Sequence, residues 1–126
     1  MNLQQLIPKH KADVETAEKL RSYSYAEVKP IIRQLLCWLQ DMNWPVSRPM
    51  ANYLLQFTEE ISPELVNILQ GDDVMWKYWI IDVFGSTTTN AAVIKEMERI
   101  AYNPTSNDVD AGVDEIAREV LALRTR

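Results

Sequence analysis

From the amino terminus onward, apolar residues recur at intervals of three and four, not two. That spacing puts them on one side of a helix, whereas a half-buried strand alternates. Val14, Ala17 and Leu20 make the first stripe and predict a helix from Asp13 to Ser22, with Asp13 as its cap. A broader face follows in Val28, Ile31, Ile32, Leu35, Leu36 and Leu39, widened by Trp38 and Met42. A helix that is apolar most of the way round packs on two sides. Ser24 and Glu27 have the spacing of a capping box. Pro30 falls about one turn further on, where a proline begins to kink a helix. This second helix therefore either starts near Tyr25 and bends or starts near Lys29.

A third helix runs from Pro45 or Val46 to Phe57, with Val46, Met50, Tyr53, Leu54 and Phe57 at helical spacing. Pro45 and Pro49 fall in its first turn, where a missing N–H removes little. In "SPEL", Ser62 caps a fourth helix, Pro63 takes its first position and Glu64 faces the positive dipole end. Leu65, Val66, Ile68 and Leu69 follow, and Gly71 ends it. Asp72 or Asp73 caps a fifth helix, "VMWKYWIIDVFG", closed by Gly85. Its inward face reads as Trp76, Trp79, Ile80, Val83 and Phe84, with Lys77 and Tyr78 pointing elsewhere. Asn90 caps a sixth helix, Ala91 to about Tyr102, with Val93 or Ile94, Met97, Ile100 and Ala101 inward. After a linker at 103–108 a last helix covers about Val109 to Leu123. Its acidic start (Asp110, Asp114, Glu115) and basic end (Arg118, Arg124, Arg126) complement the helix dipole. Only "YWIIDVF" competes weakly as a strand. The pattern predicts an all-α fold of about seven helices with no sheet, after a partly irregular segment at 1–12.

Composition agrees. The chain has 126 residues, 47% hydrophobic and 25% charged, which suits one domain with one core. Three glycines are few for a sheet-rich domain. The net charge of −5 argues against nucleic acid, whose binders neutralise phosphates with basic patches. It suits a soluble protein or one that meets a basic partner. The single cysteine, Cys37, can form no internal disulfide and reads as a small buried hydrophobe. "MNLQQLIPKHK" lacks the apolar core of a signal peptide, and no window approaches the ~18 apolar residues of a membrane span. A cytoplasmic location away from membranes is the expectation.

A shift of thirty residues lays Leu35, Leu39, Asn43, Met50, Ala51 and Leu54 on Leu65, Leu69, Asp73, Ile80, Ile81 and Phe84. Each block is helix, short acidic turn, helix. The blocks resemble HEAT-type repeats, in which a leucine-rich helix and an Asp-containing turn precede a helix beginning Val-Arg and continuing Ala…Leu-Gly. "LLCWLQDMNWPVSRPMANYLL" supplies Leu39, Asp41, Val46, Arg48, Ala51 and Leu54, with Arg48 one position late. "LVNILQGDDVMWKYWIIDVFG" supplies Leu69, Asp73, Lys77, Phe84 and Gly85, with Trp76 in place of Val and Lys77 in place of Arg. The resemblance implies a short right-handed alpha-alpha superhelix with helices one and seven as caps. Second helices would then line one side. More specifically, "LIPKHKADVETAEKL", "WLQDMNWPV", "KYWII" and "ERIAYNPT" resemble a family of short bacterial proteins known as domain of unknown function number 5071. That resemblance implies a helical-repeat fold and brings no activity with it.

Catalytic chemistry finds no foothold. His10 lies in a polar stretch with nothing to position it beside Cys37 or a serine. One Cys and one His make a zinc site unfounded, and no phosphate loop is present. Glu59, Glu60, Glu64, Asp72, Asp73, Asp108, Asp110, Asp114 and Glu115 read as caps or as a solvated face. No catalytic residue, metal or cofactor is expected. By the thirty-residue shift, Arg48, Asn52, Lys77, Tyr78 and Asp82 would share the second-helix face, with Trp44 at the turn. Aromatics and arginine are enriched in binding hot spots. The leading expectation is thus a non-enzymatic module that binds another protein, with an immunity-type protein neutralising a bacterial toxin as a specific version. A nucleic-acid-processing protein and a homodimer through Leu55 or Ile81 are the competing readings.

Overall fold

Every regular element in the computed structural model, which describes residues 2–124, is helical. Two compact units divide the chain, one up to Phe57 and one from Thr58.

In the first unit, helix α1 (Val14–Lys19) is capped by Asp13, whose carboxylate accepts the Thr16 N–H. It tightens into a 3-10 turn at Leu20–Ser22. The broad apolar run begins at Tyr25, with the Ser24–Glu27 capping box formed in both directions. Pro30 has no N–H to continue the ladder, so α2 (Tyr25–Val28) passes through a 3-10 turn at Lys29–Ile31 into α3 (Ile32–Leu36). Of the two starts the sequence allowed, the earlier one is realised. A further 3-10 turn, Cys37–Leu39, ends the run before Met42. Helix α4 (Ser47–Leu55) starts two residues after Pro45. Leu20, Leu35, Leu36, Leu39, Met50 and Leu54 are fully enclosed, each contributing about 1.5–3 kcal/mol of burial.

The second unit holds α5 (Ser62–Leu69), α6 (Val74–Phe84), α7 (Ala91–Tyr102), α8 (Ser106–Asp110) and α9 (Val113–Arg124). Helix α7 packs on α5 and α9, and α6 packs on α9. Asp73 and Asn90 cap α6 and α7 as their spacing predicts. Ser62 does not cap α5. It is the first helical residue, and its hydroxyl donates back to the Thr58 carbonyl at 2.8 Å. The expected linker at 103–108 contains the start of a helix. Thr105 and Asp108 form a capping box for α8, and Gly112, at φ 76°, separates α8 from a last helix that starts at Val113, not Val109. That left-handed conformation is open to glycine at no steric cost. Arg126 lies outside the described residues.

Cations close the carbonyl ends of these helices. Arg99 donates to the Leu69 carbonyl at 3.1 Å, Arg118 to Ala101 at 3.0 Å and Arg124 to Gly85 at 3.0 Å. Each meets orphan acceptors at a negative dipole end. Gly85 sits where three helices converge. A Cβ there would lie 2.5 Å from the Ile81 carbonyl, 2.8 Å from Val120 Cγ1 and 2.9 Å from Met97 Sδ.

Candidate functional site

Helix α6 carries two opposed stripes. Lys77, Ile80, Ile81 and Phe84 are buried. Met75, Tyr78, Trp79 and Asp82 lie on the other side, with Met75 and Asp82 exposed and the two rings partly buried. Both sets have the i, i+3, i+4, i+7 spacing of one helix face. The helix is thus rotated from the expected orientation. Lys77 faces inward, and Trp76 and Trp79 are partly buried rather than core. An element apolar all round gives periodicity little to fix its rotation. What fixes it is a partner for lysine.

That partner is Asp108. Lys77 Nζ lies 2.6 Å from Asp108 Oδ1, and the two side chains are 4% and 0% exposed. Lys77 also donates to the Gly71 carbonyl at 3.2 Å. Asp108 Oδ2 accepts the Thr105 N–H at 3.1 Å. Burial pushes the Asp108 carboxyl up, but the hydrogen bond and charge of Lys77, with the Thr105 N–H, outweigh it and hold the group below its ordinary range. Lys77 therefore cannot serve an exposed binding face, and it pairs with neither Asp72 nor Asp73. Asp108 and Asp114 are likewise not part of a solvated face, being 0% and 8% exposed. The spacing Thr105–Asp108, the same as Ser24–Glu27, was the sequence signal for the first of them.

The remaining predicted residues fall in two groups. Arg48 and Asn52 are exposed one turn apart on α4. Asn52 also lines a groove of about 510 Å³ with Glu18, Arg21, Tyr53 and Gln56. Trp44 packs at the turn before α4, edge-on to Trp38 with ring centroids 5.8 Å apart. Tyr78 and Asp82 share the outer stripe of α6, where Tyr78 meets Trp79 edge-on at 4.9 Å. Ile81 is buried and cannot supply a homodimer contact, and Leu55 is partly buried.

Cys37 and His10, the two residues weighed for nucleophilic chemistry, lie apart from these stripes. Cys37 is partly buried rather than enclosed, and burial raises its thiol against the opposing charge of Arg33. His10 is exposed and accepts the Ala12 N–H at 3.3 Å. Among the described residues, no cluster of His, Cys, Asp or Glu could hold a metal ion, and no helix is long and apolar enough to cross a membrane.

Charge is divided unevenly. Up to Phe57 the chain has seven Lys and Arg against five Asp and Glu, a net +2. From Thr58 it has six against thirteen, a net −7. In that acidic unit Lys77, Arg99, Arg118 and Arg124 are all bonded to backbone carbonyls.

No curated protein matches the chain. A family model described as a domain of unknown function (DUF5071) matches residues 6–121. That covers all the helices α1 to α8 and most of α9, and the protein belongs to this family.

Proposed function

We propose that this protein is a non-enzymatic interaction module, and that the outer stripe of α6 docks another protein. The observation that carries the reading is the outward set Met75, Tyr78, Trp79 and Asp82, directly opposite a complete inward set. The inward stripe already anchors the helix, so the outer aromatics are surplus to its own packing. Tyrosine and tryptophan give large, rigid contact area at small entropic cost, which is why they dominate hot spots. Arg48 and Asn52 occupy the matching positions on α4 and form the second, polar candidate patch. Nucleic acid is a poor occupant of the α6 stripe, because its unit carries a net −7 and commits four cations to its own carbonyls.

Site-specific photocrosslinking tests this. A photoreactive side chain at Met75 of the full chain, in the cells that naturally express it, is expected to give one discrete protein adduct. The same group at exposed Glu119 should not give that adduct, and Tyr78→Ala in the crosslinking chain should remove it. Identical adducts from both positions, or none from Met75, would sink the reading.

A further inference from the structure

We infer that the groove between α1 and α4 binds an extended segment of another protein through that segment's main chain. The site is separate from the α6 stripe and does not rest on the docking reading there. Buried Ala17 and Tyr53 form its floor. Asn52 and Gln56 stand on the α4 side, Glu18 and Arg21 on the α1 side, and all four are exposed.

In an extended chain a residue's N–H and C=O point to one edge, and the next residue's point to the other. Residues two apart therefore share an edge, about 6.6–6.8 Å from each other. Asn52 and Gln56 are four residues apart, which is about 6 Å along a helix axis. The two carboxamides thus keep step with alternate residues of a strand. Each has the chemistry of a peptide unit, so Asn52 can accept the N–H of one residue and donate to its C=O. Gln56 is held in place, because its Nε2 donates to the Tyr53 carbonyl at 3.0 Å. Its Oε1 is left to accept the N–H two residues on. The residue between turns to the opposite wall, where Glu18 accepts and Arg21 donates. Those two side chains pair at 3.3 Å, but an exposed pair is weak, and both keep further donors and acceptors.

Two observations favour a main chain over other occupants. The walls carry one acid, one base and two neutral amides, so neither an anion nor a cation gains there. A neutral chain with paired donors and acceptors does, provided that it is extended, since a helix spends those groups on itself. A sugar shares the polar chemistry but also needs a ring face to stack on. Tyr53 offers none: it is 3% exposed, and its hydroxyl donates to the Tyr23 carbonyl at 2.8 Å.

Amide NMR of the full chain, titrated with three probes, tests the inference. The probes are a hexapeptide of alternating Ala and Ser with blocked ends, the same peptide N-methylated at every second residue, and maltotriose. The plain peptide, added to about 10 mM, is expected to shift signals of residues 17–21 and 49–56. N-methylation strips the donors from one edge, whichever way the strand lies, and should weaken binding at least about tenfold. Asn52→Ala should weaken the plain peptide by a similar factor while leaving signals outside the groove in place. Equal binding of the two peptides would show that the main chain is not read, and would overturn the inference. Groove shifts from maltotriose alone would overturn it too, as would a plain peptide that shifts nothing or only residues elsewhere. None of these results bears on the Met75 adduct, which judges the α6 reading by itself.

Discussion

Lys77 and Asp108, thirty-one residues apart in sequence, form an ion pair sealed from solvent at 2.6 Å. The pair ties the start of α6 to the capping box of α8. Removing one member of such a pair leaves an uncompensated buried charge, which costs about 3–5 kcal/mol. Lys77→Met keeps the stem volume and is expected to lower unfolding stability by that amount in urea denaturation. The double variant Lys77→Met with Asp108→Leu should lose less than the two single changes added together, because no charge is left stranded. It will not recover fully, since Asp108 also holds the Thr105 N–H. Strict additivity would show that the two groups do not depend on each other.

Acid should weaken the protein through the same carboxylate. Asp108 titrates below its ordinary 3.8 in the folded state, so the unfolded chain takes up its proton first as pH falls. The stability it contributes is present above the unfolded value and drains as pH drops through the folded one. Glu96, held down by Gln70 and Arg99 against its own burial, adds in the same direction. In Lys77→Met the sign at Asp108 reverses. Burial then dominates, the folded carboxyl rises, and protonation relieves the stranded charge. Urea midpoints of the two proteins should therefore converge between pH 7 and about pH 4. A gap that stays constant over that range would locate the loss elsewhere.

Gly85→Ala tests the convergence of α6, α7 and α9. Gly85 has φ −65° and ψ −34°, a conformation any residue adopts, so glycine is required here for space rather than for backbone freedom. The added methyl would press on the Ile81 carbonyl and on Val120 and Met97. Overpacking of this kind costs about 1–3 kcal/mol, against about 0.4–1 kcal/mol gained by stiffening the unfolded chain. Net destabilisation is expected, visible as a lower melting temperature. An unchanged or raised one would mean that the three helices yield at no cost.

Helix α7 was legible in full from the sequence. Asn90 accepts the Ala92 and Val93 N–H groups, and Val93, Met97, Ile100 and Ala101 are buried as their spacing requires. One cap and one stripe suffice when the rest of the helix is polar. Helix α6 was legible only in extent, because nearly every position is apolar and the one inward charge depends on a residue far downstream. Lysine is rarely buried unless paired, so its position alone argued for the surface. The thirty-residue shift held the missing information: it lays Lys77 on Ser47, flanked by Met50, Ala51 and Leu54 on one copy and Ile80, Ile81 and Phe84 on the other. A serine facing inward is unremarkable, and it marked the facing of its counterpart. The outer stripe with Tyr78 and Asp82 follows once that rotation is known. Charge segregation was countable from the sequence but had no meaning until the boundary at Phe57 was seen.

Ser47 gives the last prediction. Its buried hydroxyl lies 2.6 Å from the Trp38 carbonyl and 2.7 Å from that of Asp41, and it holds the turn that leads into α4. Lys77 reaches the Gly71 carbonyl, also six residues back, so the two blocks close their turns at the same position with different chemistry. Ser47→Ala removes the single O–H that the two carbonyls share, at about 1–3 kcal/mol. Arg48, one step along the helix, is exposed, and Arg48→Ala should change stability by no more than about 0.5 kcal/mol. Equilibrium urea unfolding of the two variants should therefore separate neighbours in sequence by their facing alone. Equal losses would mean that the Ser47 hydroxyl does not hold the turn, and the equivalence between Ser47 and Lys77 would reduce to a coincidence of spacing.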